Sequence, residues 1–300
     1  MLSKNQIKLI KSLESKKNRK REGLFVAEGP KVVGDLLRAG YQPHSIFNTG
    51  KCSTFNVQHS TFNVQHSTFN VTDEELRRIS FLQHPQQVLA VFHIPEQPSP
   101  ITHHPTPISH QPSSIIHHPS AIGHQPSSII HQPSAISHQP SAIGHQPSSL
   151  ALALDGVQDP GNVGTIIRIA DWFGITDIYC SPDTADVYNP KVVQATMGSL
   201  AHVHIIYCDL VALLRESTVP VYGTLLDGQD IYTQDLSQEG IIVMGNEGNG
   251  ISPEVRQLIS HKLLIPNFNP NTETAESLNV AIATAITCSE FRRAGQHPLT

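Results

Sequence analysis

A seven-residue repeat with a proline in every unit runs from about 97 to 149, and it decides how the rest of the chain can be arranged. HQPSAIG-like units start at His110, His117, His124, His131, His138 and His145. A period of seven invites a coiled coil. Proline forbids it, because each one removes a helical hydrogen bond and collides with the preceding turn. Ser, Gln, His and Pro bury too little apolar surface to offset the entropy of ordering. The tract is expected to be a disordered or polyproline-II-like linker that splits the chain in two. It also accounts for an odd composition, since 9 of the 18 His fall inside it. Imidazoles bind metals, but a flexible tract does not supply convergent geometry, so no metal site is expected there. A shorter repeat begins STFNV at Ser53, Ser60 and Ser67. The long tract reads as an in-frame expansion of a short DNA repeat rather than as a selected site.

Charge is uneven on either side of these tracts. Residues 1–51 hold 11 Lys and Arg against 4 acids, so a net charge of −5 hides a +7 head on a −12 remainder. Such a head suits a polyanion, although a solvated helix face carries charge in the same way. No apolar run approaches the roughly 18 residues of a membrane span. The basic N-terminus lacks the continuous apolar core of a secretory signal. Cys52, Cys180, Cys208 and Cys288 lie far apart with no CxxC pair, so neither a zinc cage nor a disulfide framework is expected. A cytoplasmic protein with no membrane partner is the expectation.

Two segments carry the fold. Residues 1–52 and 71–96 read as a small basic α/β unit, with a strand, helix and strand in GLFVAEGPKVVGDLLRAGYQPHSIFNT and a helix and strand in TDEELRRISFLQHPQQVLAVFHI. From 150 to 294, apolar strands (LALALDGV, TDIYCS, AHVHIIYC, PVYGTLL, GIIVMG, KLLIP) alternate with amphipathic helices. That alternation implies an α/β domain with a mostly parallel sheet covered on both faces, with ligands at the carboxyl ends of its strands.

Three segments place polar or glycine-rich residues at those strand ends. In DGVQDPGNVG, Asn162 stands at an expected N-cap, and Arg168 follows within two turns on an otherwise apolar helix. A cap and a surface arginine explain this segment equally well. In MGNEGNGISPE, three glycines follow a buried strand and permit positive φ or a close approach of a ligand. Glu247 sits among them as an acceptor for a ligand or a partner arginine. The loop is neither GxGxxG nor a Walker loop, which argues against a dinucleotide oxidoreductase or a nucleotide triphosphatase. In the third segment, Ile265-Pro266 ends a strand, and Thr274 or Ser277 is expected to cap a long apolar helix with Asn279 in its first turn.

Together the three segments resemble the motifs of the SpoU/TrmH family of RNA ribose 2′-O-methyltransferases, within the SPOUT superfamily. Asn162-x5-Arg168 matches the first motif, Gly245-Asn246-Glu247-Gly248-x-Gly250 the second, and Ile265-Pro266 with Ser277-Leu278-Asn279-Val280 the third. The order and spacing fit over about 151–294. The head, with SKNQIKLIKSL and NRKREGLFVAEGPKVV, is similar to the ribosomal-protein-like RNA-binding domain often fused ahead of this unit.

The resemblance implies a C-terminal trefoil knot, a homodimer, and S-adenosylmethionine held largely by backbone groups at Thr224, Leu225, Gly245, Ile265 and Leu278. It implies that Arg168 meets the ribose 2′-hydroxyl, that Ser277 holds an RNA phosphate, that Glu247 and Asn279 orient Arg168 and the ribose, and that Asn162 shapes the pocket. A guanidinium stays protonated at neutral pH, so positioning suits Arg168 better than proton removal. No metal is implied, and no DNA. Gln194 stands where compared members often have Arg, which removes one RNA contact. The expected division is a basic α/β RNA substrate-binding domain at 1–96 with a repeat insert at 53–70, a linker at 97–149, a SpoU-type methyltransferase domain at 150–294 and a tail at 295–300. Ribosomal RNA is the favoured substrate by analogy of the head alone. Transfer RNA, or a knotted RNA-binding scaffold without catalysis, are the alternatives.

Overall fold

The structure is a computed structural model that describes residues 2–51, 68–95, 150–269 and 277–296. The long repeat, the first two copies of the short one, and Thr274 lie outside the described residues.

The head opens with two basic helices, α1 (Lys4–Ser12) and α2 (Lys16–Glu22). Ser3 and Gln6 form a reciprocal capping box that starts α1, and Gly23 ends α2 at a φ of 64°. Then follow β1 (Leu24–Glu28), α3 (Pro30–Arg38), β2 (Pro43–Asn48), β3 (Thr68–Asn70), α4 (Asp73–Ile79) and β4 (Val88–His93). Their sheet order is β1-β4-β2-β3. Strand β3 lies within the stretch 53–70 read from the sequence as a repeat insert. The last copy of the short repeat supplies an edge strand, parallel to β2, because Phe69 stacks on Phe47 at 5.3 Å.

The second part contains β5 (Leu150–Asp155), α5 (Pro160–Trp172), β6 (Asp177–Cys180), α6 (Pro190–Ala195), β7 (His204–Tyr207), α7 (Leu210–Arg215) and β8 (Val221–Asp230). It ends with β9 (Gly240–Gly245), α8 (Pro253–Arg256), β10 (His261–Leu264) and α9 (Val280–Gln296). The sheet order is β10-β8-β9-β5-β6-β7, and each paired neighbour is parallel. Strands β5 and β9 are buried along their whole length, as continuous apolar runs at the centre of a covered sheet should be. One face packs on α5 and α9, through Ile166, Ile167, Ala170, Cys288 and Phe291. The other packs on α7 and α8, through Leu210, Leu214 and Val255. The α/β class and the parallel sheet expected from the sequence are what the chain forms.

Strand β7 covers only the second half of the expected AHVHIIYC strand, because residues 199–201 close into a 3-10 turn. Helix α8 is cut to four residues of the expected SPEVRQLIS helix.

Head and body form one compact unit. An apolar cluster runs across the join, with Phe25, Val33 and Phe92 of the head packed with Val193 and Leu200. Beside it, the buried Arg19 donates from Nε and Nη2 to Asp186 Oδ2 at 3.0 and 2.6 Å. Its Nη1 donates to the carbonyls of Leu13 and Glu14, both at 2.7 Å. One of the head's cations is therefore structural and unavailable to a polyanion. Lys4, Lys8, Lys16, Lys17 and Lys20 remain exposed on α1 and α2.

Removing one partner of a buried ion pair strands the other charge. Arg19→Ala is expected to lower stability by about 3 kcal/mol, with Arg19→Lys recovering little because lysine lacks the fork. Urea unfolding checks this. A loss below about 1 kcal/mol for Arg19→Ala would show that the pair does not clamp the join.

Candidate functional site

Strands β5 and β9 end side by side, with Asp155 paired to Gly245 in register. Both residues open loops that fold onto each other. Asn246 donates from Nδ2 to the Gly156 carbonyl at 2.7 Å, and Asp155 Oδ2 accepts from the Ser252 amide at 2.7 Å. The Asn246 carbonyl oxygen of the side chain accepts from the amides of Gly248 and Asn249, at 2.9 and 3.0 Å. Two backbone bonds between Asn246 and Gly250, both 2.9 Å, close the turn.

The glycines serve the loop itself. A Cβ on Gly245 would stand 2.3 Å from the carbonyl carbon of Gly250, so the turn can double back only over a glycine. Gly250 adopts a φ of 69°, which L-residues disfavour. These two positions explain why that strand end is glycine-rich without invoking a ligand.

This turn lifts Glu247 to the start of α5. Its Oε2 accepts from the Gln158 amide at 3.1 Å, and its Oε1 accepts from the Asp159 amide and from Asn162 Nδ2, both at 3.0 Å. The Asn162 side-chain oxygen accepts from Asn279 Nδ2 at 3.0 Å. Asn279 Oδ1 in turn accepts from the amides of Ala281 and Ile282, at 2.9 and 3.3 Å. One hydrogen-bonded line thus joins all three sequence segments.

Two capping expectations are corrected. Helix α5 is capped by Asp159, whose carboxylate accepts from the Asn162 amide at 2.8 Å. Pro160 takes the first helical position, where its fixed φ fits and its missing N–H is not needed, so the cap falls one residue before it. The Asp-Pro pair was the available signal. Asn162 is thereby freed to hold Glu247. Helix α9 is capped by Asn279 rather than Ser277, which is exposed ahead of it.

Arg168 lies on the same helix, exposed, with no hydrogen bond or ion pair among the described residues. Glu247 and Asn279 hold Asn162 and backbone amides, and neither touches Arg168. Sequence reasoning assigned no role to Asp155, Asp159 or Asn246, which build the loops.

Glu247 also has a shifted acidity. Burial pushes its carboxyl up, but hydrogen bonds from Asn162 and from the amides of Gln158, Asp159 and its own residue outweigh this and hold it below the ordinary glutamate value. It is a carboxylate at neutral pH.

On the other side of Gly245 lies β8. Its pairing with β9 ends at Gly223, and its pairing with β10 jumps from Gly223 to Gln229. Residues 224–228 therefore leave the ladder beside the Gly245 turn, with Thr224 and Leu225 first. Gly228 brings the chain back so tightly that a Cβ there would stand 2.5 Å from the Leu263 carbonyl carbon. Leu225 and Ile265 are half-buried and Leu278 is exposed.

A parallel α/β sheet with its polar residues gathered at the ends of its two central strands defines the class of protein. The SpoU rRNA Methylase family model matches residues 149–289, and a model of the MRM3-like substrate binding domain matches residues 4–90. A solved structure from Porphyromonas gingivalis, described as an RNA methyltransferase of the TrmH family, is 38% identical. That match covers 98% of this chain and 99% of the other, with a TM-score of 0.73. An AdoMet-bound rRNA methyltransferase from Sinorhizobium meliloti is 28% identical over 100% of this chain and 97% of its own, with a TM-score of 0.75. A 23S rRNA guanosine 2′-O-methyltransferase of Bacillus subtilis is 36% identical over 145 residues, covering 47% of this chain and 57% of the relative. The chain spans a little over half, 53% to 58%, of the length of such curated relatives. The chain belongs to the SpoU/TrmH family.

The bonds to Glu247 make a pH prediction. Its folded-state pKa lies below the unfolded value, so its contribution is present above that value and is lost as pH falls through the folded one. Glu247→Gln should cost roughly 1 kcal/mol at pH 7, kept small because the carboxylate meets solvent. The difference from wild type should shrink below pH 4.5, the ordinary glutamate value. Urea unfolding across pH checks this, and a gap that does not change with pH would overturn it.

Proposed function

We propose that this protein is an S-adenosylmethionine-dependent RNA methyltransferase that methylates a ribose 2′-hydroxyl, in ribosomal RNA. The observation that carries the reading is the line Asn279–Asn162–Glu247 at the carboxyl ends of β5 and β9, anchored on the helix that also carries Arg168, which has no partner among the described residues. A structural cap needs no such set. Three polar side chains hold one another in fixed positions, and an exposed cation on the same helix stays open to an incoming anion.

The cofactor would be held by Thr224, Leu225, Gly245, Ile265 and Leu278, where the sheet ladder opens. When bound, it supplies an electrophilic methyl group on a sulfonium. Arg168 would grip the phosphate and hydroxyl oxygen of the target nucleotide, its guanidinium staying protonated. Glu247 keeps Asn162 aimed, and Asn162 with Asn279 lines the ribose side. Ser277 offers a hydroxyl to a neighbouring phosphate. In this reading the chain divides into an RNA substrate-binding head at 1–96, the repeat linker at 97–149, the methyltransferase domain at 150–294 and a tail at 295–300. Membership of the family implies that the C-terminal part of the sheet domain carries a trefoil knot.

A homodimer is part of the reading. Trp172, Phe268 and Leu226 are 84%, 81% and 74% exposed, and Leu278 and Ile282 add apolar surface at the start of α9. Large exposed apolar side chains on this part of the chain suit a second copy. No described helix is long and apolar enough to cross a membrane; a cytoplasmic location is part of the proposal.

The experiment is transfer of labelled methyl from S-adenosylmethionine to total RNA from a strain lacking this gene, followed by digestion to nucleosides. Label is expected in a 2′-O-methylated nucleoside, and Arg168→Ala should lower the rate by about 10²- to 10³-fold. Label on a base overturns the reaction. Cofactor and RNA binding without transfer favours the non-catalytic scaffold.

A further inference from the structure

At the join of head and body lies a cavity of about 270 Å³. The head lines it with Glu28, Phe81 and Leu82, and helix α6 lines it with Pro190, Lys191 and Gln194. It is separate from the site at the ends of β5 and β9.

Its size sets the first limit. Small-molecule sites start at about 300 Å³, so this cavity holds a single ring system rather than a whole nucleotide. Its walls set the second. The Phe81 ring is held by Lys11, whose ammonium stands 4.8 Å from the ring centroid and donates to the Ser80 carbonyl at 2.6 Å. The backbone around Phe81 is fixed too, since its amide donates to Glu28 Oε1 at 2.7 Å and the Ser80 hydroxyl donates to Glu28 Oε2. The aromatic wall is therefore positioned before anything binds.

The third limit is polar. Two groups lining the cavity lack partners among the described residues: the Gln194 carboxamide and the Lys191 ammonium. A carboxamide offers one donor edge and one acceptor, the pattern that reads a base edge. The Lys191 and Lys11 cations favour a polyanionic owner of that ring. Position supplies the last constraint. Helix α6 packs directly on α5, and a Cβ at Gly164 would stand 2.5 Å from Ala195 Cβ and 2.8 Å from the Val192 carbonyl oxygen. Gly164 lies one helical turn before Arg168.

We propose that this cavity receives one unstacked base of the RNA substrate, stacked on Phe81 and read at its edge by Gln194. The proposal rests on the RNA reading above and adds to it a recognition site that head and body build together. Unstacked bases held against aromatic rings and hydrogen-bonded along an edge are how proteins read single-stranded elements of RNA. The base belongs to a nucleotide near the methylated one, because the helix that lines the cavity also braces the helix that carries Arg168.

The test uses the full chain, RNA from a strain lacking the gene, and the variants Gln194→Ala, Phe81→Ala and Phe81→Tyr. Losing one base–aromatic stack should raise KM for RNA about 10-fold in Phe81→Ala. Gln194→Ala should raise it several-fold, and Phe81→Tyr should restore most of the affinity. In all three, kcat at saturating RNA and S-adenosylmethionine binding by calorimetry should stay at wild-type values. Should Phe81→Ala fail to fold, Gln194→Ala decides alone, because that side chain bonds to no other described residue. Wild-type KM in both alanine variants overturns the pocket and leaves the methyltransferase reading intact. A wild-type protein that neither binds nor methylates RNA overturns that reading, and the pocket proposal with it.

Discussion

One exposed carboxylate organises the site. Glu247 stands on a turn that follows β9, yet its acceptors are filled from the loop after β5 and from the first turn of α5. Without it, Asn162 would be free to rotate and Asn279 would lose its fixed neighbour. The carboxylate takes up that position because Gly245 allows the turn to fold back on itself and because Asn246 pins the turn to Gly156. Hydrogen bonding outweighs desolvation at this group, so it is charged when it is needed as an acceptor.

The same economy appears at the join of head and body. Arg19 spends its guanidinium on Asp186 and on two carbonyls at the end of α1, tying the basic helices to the parallel-sheet domain. The exposed lysines of α1 and α2 then have a fixed orientation relative to α6 and the cavity beside it. The apolar cluster containing Phe25, Phe92, Val193 and Leu200 makes the contact specific.

Much of the site was legible because it sits where strands end. Asn162, Arg168, Glu247 and Asn279 stand out in the sequence as polar residues against apolar runs, and the structure brings Asn162, Glu247 and Asn279 into contact. Their partners were not legible in the same way. Whether Asn162 caps α5 or holds Glu247 depends on Asp159 one residue ahead of Pro160, and whether Asn279 or Ser277 caps α9 depends on the path of the chain into that helix. The aromatic and carboxamide walls of the interdomain cavity left no local signal, since Phe81 and Gln194 are 113 positions apart.

The sequence by itself determined the α/β class, the parallel sheet and the order of its elements. Periodicity acts within a few residues, so it can be read locally. Only the tertiary structure decided that the last copy of the short repeat becomes strand β3, that Arg19 is a buried clamp rather than a free cation, and that residues 224–228 leave the sheet ladder beside Gly245. Each of these outcomes depends on what a distant segment offers as a partner. A hydrogen bond or an ion pair gains its worth from burial and geometry that no single stretch of chain carries.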